Sequence, residues 1–194
     1  MRSGLDWPVA AAVVVASVVA MEGVAWAMHR WLMHGPGWRW HRTHHRPPGE
    51  AASRVELNDL FGLIFAGAAI GLCVWGGATR GLAWWTGIGI SVYGLLYLFV
   101  HEGLAHGRIP VGRVPKGGYL KRLVQAHRLH HAVHAREGAV AFGFLWTPSP
   151  AALRRRLQES GALRRTEPGP AAHGVRAGAG SPDRAAAEHD ARVH

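Results

Sequence analysis

Residues 82–106 read LAWWTGIGISVYGLLYLFVHEGLAH, nineteen uncharged residues that run straight into a histidine pair, His101 and His106. About 20 apolar residues cross the hydrocarbon core of a bilayer, so this stretch spans a membrane and delivers imidazoles where it leaves. Residues 60–77 also carry no charge, and 7–28 carry only Glu22. Between 77 and 82 there is room for a tight turn containing Arg80, which makes 60–100 a helical hairpin in the membrane. The expected fold is an all-α integral membrane protein of about three transmembrane helices, with a cytoplasmic histidine-rich helical cap and a disordered C-terminal tail. Residues 1–150 form the membrane-embedded domain and 151–194 the basic tail, which begins in a short amphipathic segment at most.

The histidines repeat in order. Ten of the fourteen fall into two copies of one pattern: His29-x4-His34 then His41-x2-His44-His45, and His101-x4-His106 then His127-x2-His130-His131. Neutral imidazole is a ligand for iron, zinc, copper and nickel. Positions i, i+3 and i+4 share a helix face, so each x2 box is expected to offer a three-pronged grip. The x4 pairs stand about 140° apart on an α-helical wheel and are expected to reach round a site from two directions. Four boxes repeated in order predict a metal centre with two ions.

Topology supports this reading independently. One box pair follows the first span and the other follows the third, so both emerge on the same side of the membrane. Arg30, Arg39, Arg42 and Arg46 follow span one, and Arg108, Arg113, Lys116, Lys121, Arg122 and Arg128 follow span three. Basic residues beside spans stay on the cytoplasmic side, which places the cluster on the cytoplasmic face of the inner membrane. The Ala25-Trp26-Ala27 string resembles a signal-cleavage site, but the apolar run is too long and its basic residues follow it, so the first span is read as retained. The formal charge of +10 and pI near 11.3 are assigned to membrane-flanking cations touching lipid head groups, not to nucleic-acid binding. The single cysteine, Cys73, lies in span two, so an internal disulfide is excluded.

Other residues carry weaker signals. Glu102 and Asp59 are the candidate catalytic carboxylates: Glu102 adjoins His101 and can ligate metal or orient an imidazole, whereas Asp59 opens span two, where an acid also serves as a helix cap. Glu22 is costly inside a span and calls for a protein or water partner. Gly67-x3-Gly71 offers close helix packing. His134 extends the second x2 box but is read as a supporting or surface residue. His173, His189 and His194, in the tail, share no spacing and are read as solvated.

A metal held by histidines beside a bilayer supports hydrolysis or oxidation. A lipid without an ester offers only C–H bonds, and attacking those requires metal-activated oxygen. Flavin, haem and nicotinamide motifs are lacking, so an oxygenase of this kind takes its electrons from a separate protein. Alternatives are a different lipid oxidase of the same metal class (a fatty-acid or sterol hydroxylase, a desaturase or a carotenoid ketolase) or a non-enzymatic metal-binding or metal-transport membrane protein. A transporter, however, places its charged ligands within the spans.

The order of the four boxes resembles that of the fatty-acid hydroxylase superfamily. The strings around 29–35, 56–61, 118–122, 126–132 and 142–145 are similar to those of the bacterial β-carotene 3-hydroxylases within it, over residues 24–150. The resemblance implies a non-haem di-iron monooxygenase that hydroxylates the 3 and 3′ carbons of β-ionone rings, taking β-carotene through β-cryptoxanthin to zeaxanthin and accepting ketolated carotenoids. It implies two iron ions, O2 as co-substrate, a ferredoxin-type electron donor, and the ten boxed histidines as ligands.

Overall fold

In the computed structural model, residues 4–45 and 55–162 are described. Six α-helices make up the fold, with no strand among the described residues: α1 (Trp7–Ala27), α2 (Trp38–His41), α3 (Asp59–Gly76), α4 (Leu82–Tyr97), α5 (Gly118–His131) and α6 (Pro150–Ser160). Two π-helical segments extend α1 and α4, Met28–Met33 and Leu98–Ala105. With those extensions, three helices are long and apolar enough to cross a membrane: Trp7–Met33, Asp59–Gly76 and Leu82–Ala105. Val15, Val19, Leu63, Ile70 and Val74 lie exposed on their outer faces. Lipid, which demands apolar side chains and internally bonded backbone, accounts for that exposure, and the chain is a membrane protein.

The middle of the bundle is α4, which packs against both α1 and α3. Two of its glycines permit the approach. A Cβ on Gly87 would stand 2.7 Å from Cys73 Sγ and 2.8 Å from the Ala69 carbonyl oxygen of α3, and one on Gly89 would stand 2.4 Å from Ser17 Cβ of α1. Association in lipid depends on such small residues at the contacts. The expectation that Gly67 and Gly71 serve this purpose is overturned. A Cβ at either would meet nothing within 4 Å, because the face of α3 that meets α4 carries Ala69 and Cys73 instead.

The π-segments correct the wheel argument. His34 N–H donates to the His29 carbonyl at 3.0 Å, and His106 N–H donates to the His101 carbonyl at 3.0 Å. Each is an i→i+5 bond, the signature of a π-turn. In such a turn residue i+5 comes back over residue i, so the ring centroids of His29 and His34 lie 5.3 Å apart and those of His101 and His106 4.6 Å apart. The x4 spacing is thus matched to a wider helical turn, and each pair faces one way.

The segment expected to begin the tail includes a packed helix. Ser149 caps α6 by accepting from Ala152 N–H at 3.2 Å, and Gly161 closes it in the left-handed conformation at φ 62°, as capping chemistry favours. Leu153 and Leu157 are fully buried, and Leu157 joins Val133 and Ala162 in a small core packed on Leu129 and Val140. Arg154, Arg155 and Arg156 point outward. The folded unit therefore runs past 150 to at least 162. The remainder of the expected tail, with His173, His189 and His194, lies outside the described residues.

Candidate metal centre

The ten boxed histidines meet at the end of the bundle where spans one and three finish. They sort into two groups of five, each able to place one ligand atom per residue within 4.8 Å of the others: His29, His34, His41, His45 and His130 in one, His44, His101, His106, His127 and His131 in the second. The membership crosses the sequence copies. Each cluster takes an x4 pair, the two outer histidines of the x2 box from the same copy, and the middle histidine of the other copy's box.

The single three-pronged grip expected of each x2 box is therefore corrected to a two-and-one division. Positions i+3 and i+4 diverge by about 100° around a helix. In α5 this sends His127 and His131 to one cluster and His130 to the other. In the first copy α2 ends at His41, and His44 and His45 follow in turns bonded to the His41 and Arg42 carbonyls. The allocation is nonetheless the same.

Seven rings have Nδ1 against an oxygen acceptor. His29 Nδ1 donates to the Phe142 carbonyl at 3.0 Å, His34 to Arg136 at 2.8 Å, His45 to Val133 at 3.0 Å and His130 to Val140 at 2.7 Å. His41 donates to Asn58 Oδ1 at 2.7 Å, His44 to Glu56 Oε2 at 3.0 Å and His101 to Glu102 Oε1 at 2.6 Å. A proton on Nδ1 leaves Nε2 as a bare lone pair. The Nε2 atoms then face one another: His29–His41, His41–His45, His45–His130 and His44–His101 at 3.1 Å, and His34–His130 at 3.3 Å. Lone pairs so placed repel unless a cation lies among them. Imidazoles sharing an ion with bonds of about 2.1 Å stand roughly 3.0–3.4 Å apart, so the spacing fits a metal. His131 Nε2 is buried with no hydrogen-bond partner, which a ligand role would also explain.

Electrostatics agree. Burial holds His41 and His106 down at about 4 and His45 at about 2. It also lowers His34, His44, His127, His130 and His131. At neutral pH these rings are uncharged, the state that binds metal. No carboxylate belongs to either cluster among the described residues.

Of the two carboxylates singled out in the sequence, Glu102 stands behind His101, and its second oxygen takes a 2.8 Å ion pair from Arg108. Asp59 does not reach a boxed histidine in any of its hydrogen bonds. It receives Arg108 on both oxygens at 3.0 and 2.8 Å and accepts from Glu56 N–H at 2.9 Å, bracing the turn into α3. Half-buried His134 joins neither cluster.

Sequence reasoning did not assign roles to Asn58, Glu56 or the carbonyls of 133–142, and left the partner of Glu22 open. Glu22 Oε1 accepts from the N–H groups of Phe144 and Trp146 at 2.8 Å and Leu145 at 2.9 Å, and Oε2 accepts from Tyr93 O–H at 2.9 Å. A carboxylate in span one thus ties the segment after α5 down over the clusters. The only advance signal was an acid inside an apolar run.

Three spans, two of them ending in five-histidine clusters that could each hold a metal ion, define the class: a histidine-rich candidate metal site built on a membrane bundle. The fatty acid hydroxylase family model matches residues 14–148, and the chain belongs to that family. It is 53% identical to a beta-carotene hydroxylase of Pseudescherichia vulneris over 147 residues, 76% of this chain and 82% of that protein. It is 47% identical to a beta-carotene hydroxylase of Paracoccus sp. (strain N81106 / MBIC 01143) over 153 residues, 78% and 93% of the two chains. A third, from Pantoea ananas, is 43% identical over 173 residues, 89% and 90% of the two. No solved structure matches.

Proposed function

We propose that this chain is a carotenoid hydroxylase that inserts one oxygen atom from O2 into the C3–H and C3′–H bonds of β-ionone rings, converting β-carotene through β-cryptoxanthin to zeaxanthin. The observation that carries the reading is the pair of all-imidazole clusters at the ends of two spans, in a chain about half identical to beta-carotene hydroxylases. The ligands in this reading are the ten boxed histidines, five to each of two irons. Each turnover converts C–H, O2, two electrons and two protons to C–OH and water.

Iron, when bound, supplies the oxygen activation that side chains cannot. The chain's own groups do the rest. Seven Nδ1 acceptors fix the rings with Nε2 inward, so little reorganisation accompanies metal binding. Val100, Ala105, Leu123, Ala126 and Phe144 line a small cavity against His101 and His127. Their apolar surfaces disfavour water beside that cluster. Glu102 and Asp59 act by holding Arg108 and the rings behind the site, not by touching substrate.

Exposed Arg39, Arg42, Arg113, Lys116 and Arg128 give the histidine end a basic surface suited to an acidic ferredoxin-type donor. By the same charge bias this end faces the cytoplasm, at the inner membrane of a bacterial cell. Residues 1–162 form one catalytic domain, with the rest a dispensable basic tail. A reporter inserted at Thr79 should lie outside the cell and one at the C-terminus inside. Both on one side would refute the three-span topology.

The decisive test is expression in a β-carotene-producing host followed by pigment chromatography. Zeaxanthin and β-cryptoxanthin are expected. Keto-carotenoids without hydroxylated products, or unchanged β-carotene from membrane-inserted iron-loaded protein, would overturn the proposal.

A further inference from the structure

We infer that the two histidine clusters are not equivalent: the cluster of His44, His101, His106, His127 and His131 is backed by carboxylates and holds its metal ion more tightly than the other. This rests on the metal-binding reading above but not on the identity of the substrate. The observation is the chemistry behind the rings. In the first cluster all five Nδ1 acceptors are neutral: the carbonyls of Phe142, Arg136, Val133 and Val140, and Asn58 Oδ1. In the second, His44 donates to Glu56 and His101 to Glu102, both carboxylates.

Those carboxylates belong to one closed circuit. Glu102 Oε2 pairs with Arg108 at 2.8 Å, Arg108 grips both oxygens of Asp59, and Asp59 Oδ2 accepts from the Glu56 backbone N–H at 2.9 Å. Glu56 then returns to His44, whose Nε2 lies 3.1 Å from that of His101. Two of the Nδ1 acceptors behind this cluster are thus anionic, and the five behind the other are uncharged. A carboxylate accepting from a ligating imidazole pulls the ring toward imidazolate and raises its basicity, and losing such a partner typically lowers metal affinity about 10–100-fold. Arg108 fixes the rotamer of Glu102 and, through Asp59, braces the turn that carries Glu56. Glu56, Glu102 and Arg108 are positioning residues for one ion of the pair.

The test uses zinc as the probe on full-length chain purified in detergent and stripped of metal, with a chromophoric chelator as competitor. Wild type should release its two equivalents in two steps separated by about 10–100-fold in chelator strength. His34→Ala, which spoils the first cluster, should leave the tighter equivalent, and His106→Ala the weaker one. Glu102→Gln should narrow the gap, with Glu56 still behind His44, and Glu102→Asp should restore part of it. Release of both equivalents in one step from wild type would overturn the inference, even if no variant can be purified. An unchanged gap in Glu102→Gln would overturn it as well. Failure of wild type to bind any metal would instead sink the metal-centre reading itself.

Discussion

His130 Nε2 lies 3.1 Å from His45 Nε2, although 85 residues separate them in the chain. A histidine of the second sequence copy thereby completes the cluster built by the first, and His44 returns the exchange by meeting His101 at 3.1 Å. Neither copy makes a five-histidine cluster alone, so a metal ion in each would weld α5 to the end of α1 and join the stretch after α2 to the end of α4. The exchange makes each cluster sensitive to damage in the other copy.

Replacement of His130 by alanine should therefore cost metal from the cluster whose other four members belong to the first copy, and His44→Ala should do the converse. Each variant is expected to lose zeaxanthin formation and to bind about one metal equivalent per chain fewer than wild type, since removal of one ligand opens the coordination sphere. Metal analysis of purified protein beside pigment analysis of cells is the check. His189→Ala should behave as wild type. Normal zeaxanthin from His130→Ala at normal abundance would refute the ligand assignment.

The Glu22 clasp gives a second expectation. Glu22→Gln keeps the shape and one acceptor oxygen for the backbone N–H groups, but removes the negative charge and sets an amide N–H2 where Oε2 accepts from Tyr93 O–H and Leu145 N–H. An unsatisfied buried donor costs roughly 1–3 kcal/mol, and the segment that supplies the Phe142 carbonyl to His29 should loosen. Faster proteolytic cutting near 143–147 and a lower thermal inactivation temperature are expected, with activity reduced but metal still bound. Unchanged protease resistance would show that the clasp contributes nothing. Gly143→Ala should behave similarly, because a Cβ there would lie 2.4 Å from the Trp146 carbonyl oxygen.

Glycines in the spans separate into two kinds, and substitution should sort them. Gly87→Ala and Gly89→Ala push α4 away from α3 and α1, an overpacking that typically costs about 1–3 kcal/mol. Gly67→Ala and Gly71→Ala should be neutral or slightly stabilising, since alanine favours helix over glycine by about 1 kcal/mol. Thermal aggregation of the detergent-solubilised variants measures the difference. Equal effects at Gly67 and Gly87 would refute the packing described here.

These contrasts mark how far the sequence could be read. The spans and the ten histidines were legible because hydropathy and ligand spacing are local properties of the chain. The meeting of both box pairs followed from counting crossings. The π-turns were not legible: an x4 spacing is ambiguous until the backbone bond is known, and an α-helical wheel sends the two rings in different directions. The allocation of His44 and His130 was hidden because it depends on where α5 lies against the ends of α1 and α4. Asn58 carried no signal of its own, because its bond to His41 depends on how the start of α3 meets the first cluster. Gly67 and Gly71 matched a packing motif that says nothing about which face of the helix meets a neighbour.

Acid should act on the fold before it acts on the metal. In the metal-free chain burial keeps His41 and His106 at about 4 and His45 at about 2, below the ordinary 6.5. The folded rings are neutral across the range in which the unfolded chain takes up protons. A group whose folded pKa is depressed in this way binds more protons when unfolded, so stability rises with pH there. The contribution of these rings is fully present above about 6.5 and declines as pH falls from 6.5 toward 4. The thermal midpoint of the stripped protein should be flat from pH 8 to about 7 and fall progressively below about 6.5. While the fold persists, the same neutral rings have few protons to shed on binding metal. Zinc affinity of the folded protein should then change little between about pH 7 and 5.5, where a surface polyhistidine tag lets go of its metal. The two readouts are a thermal melt series across pH and a zinc competition titration at the same points. Zinc affinity that collapsed between pH 7 and 6 with an unchanged melting midpoint would mean that the rings titrate like exposed histidines, contrary to their burial.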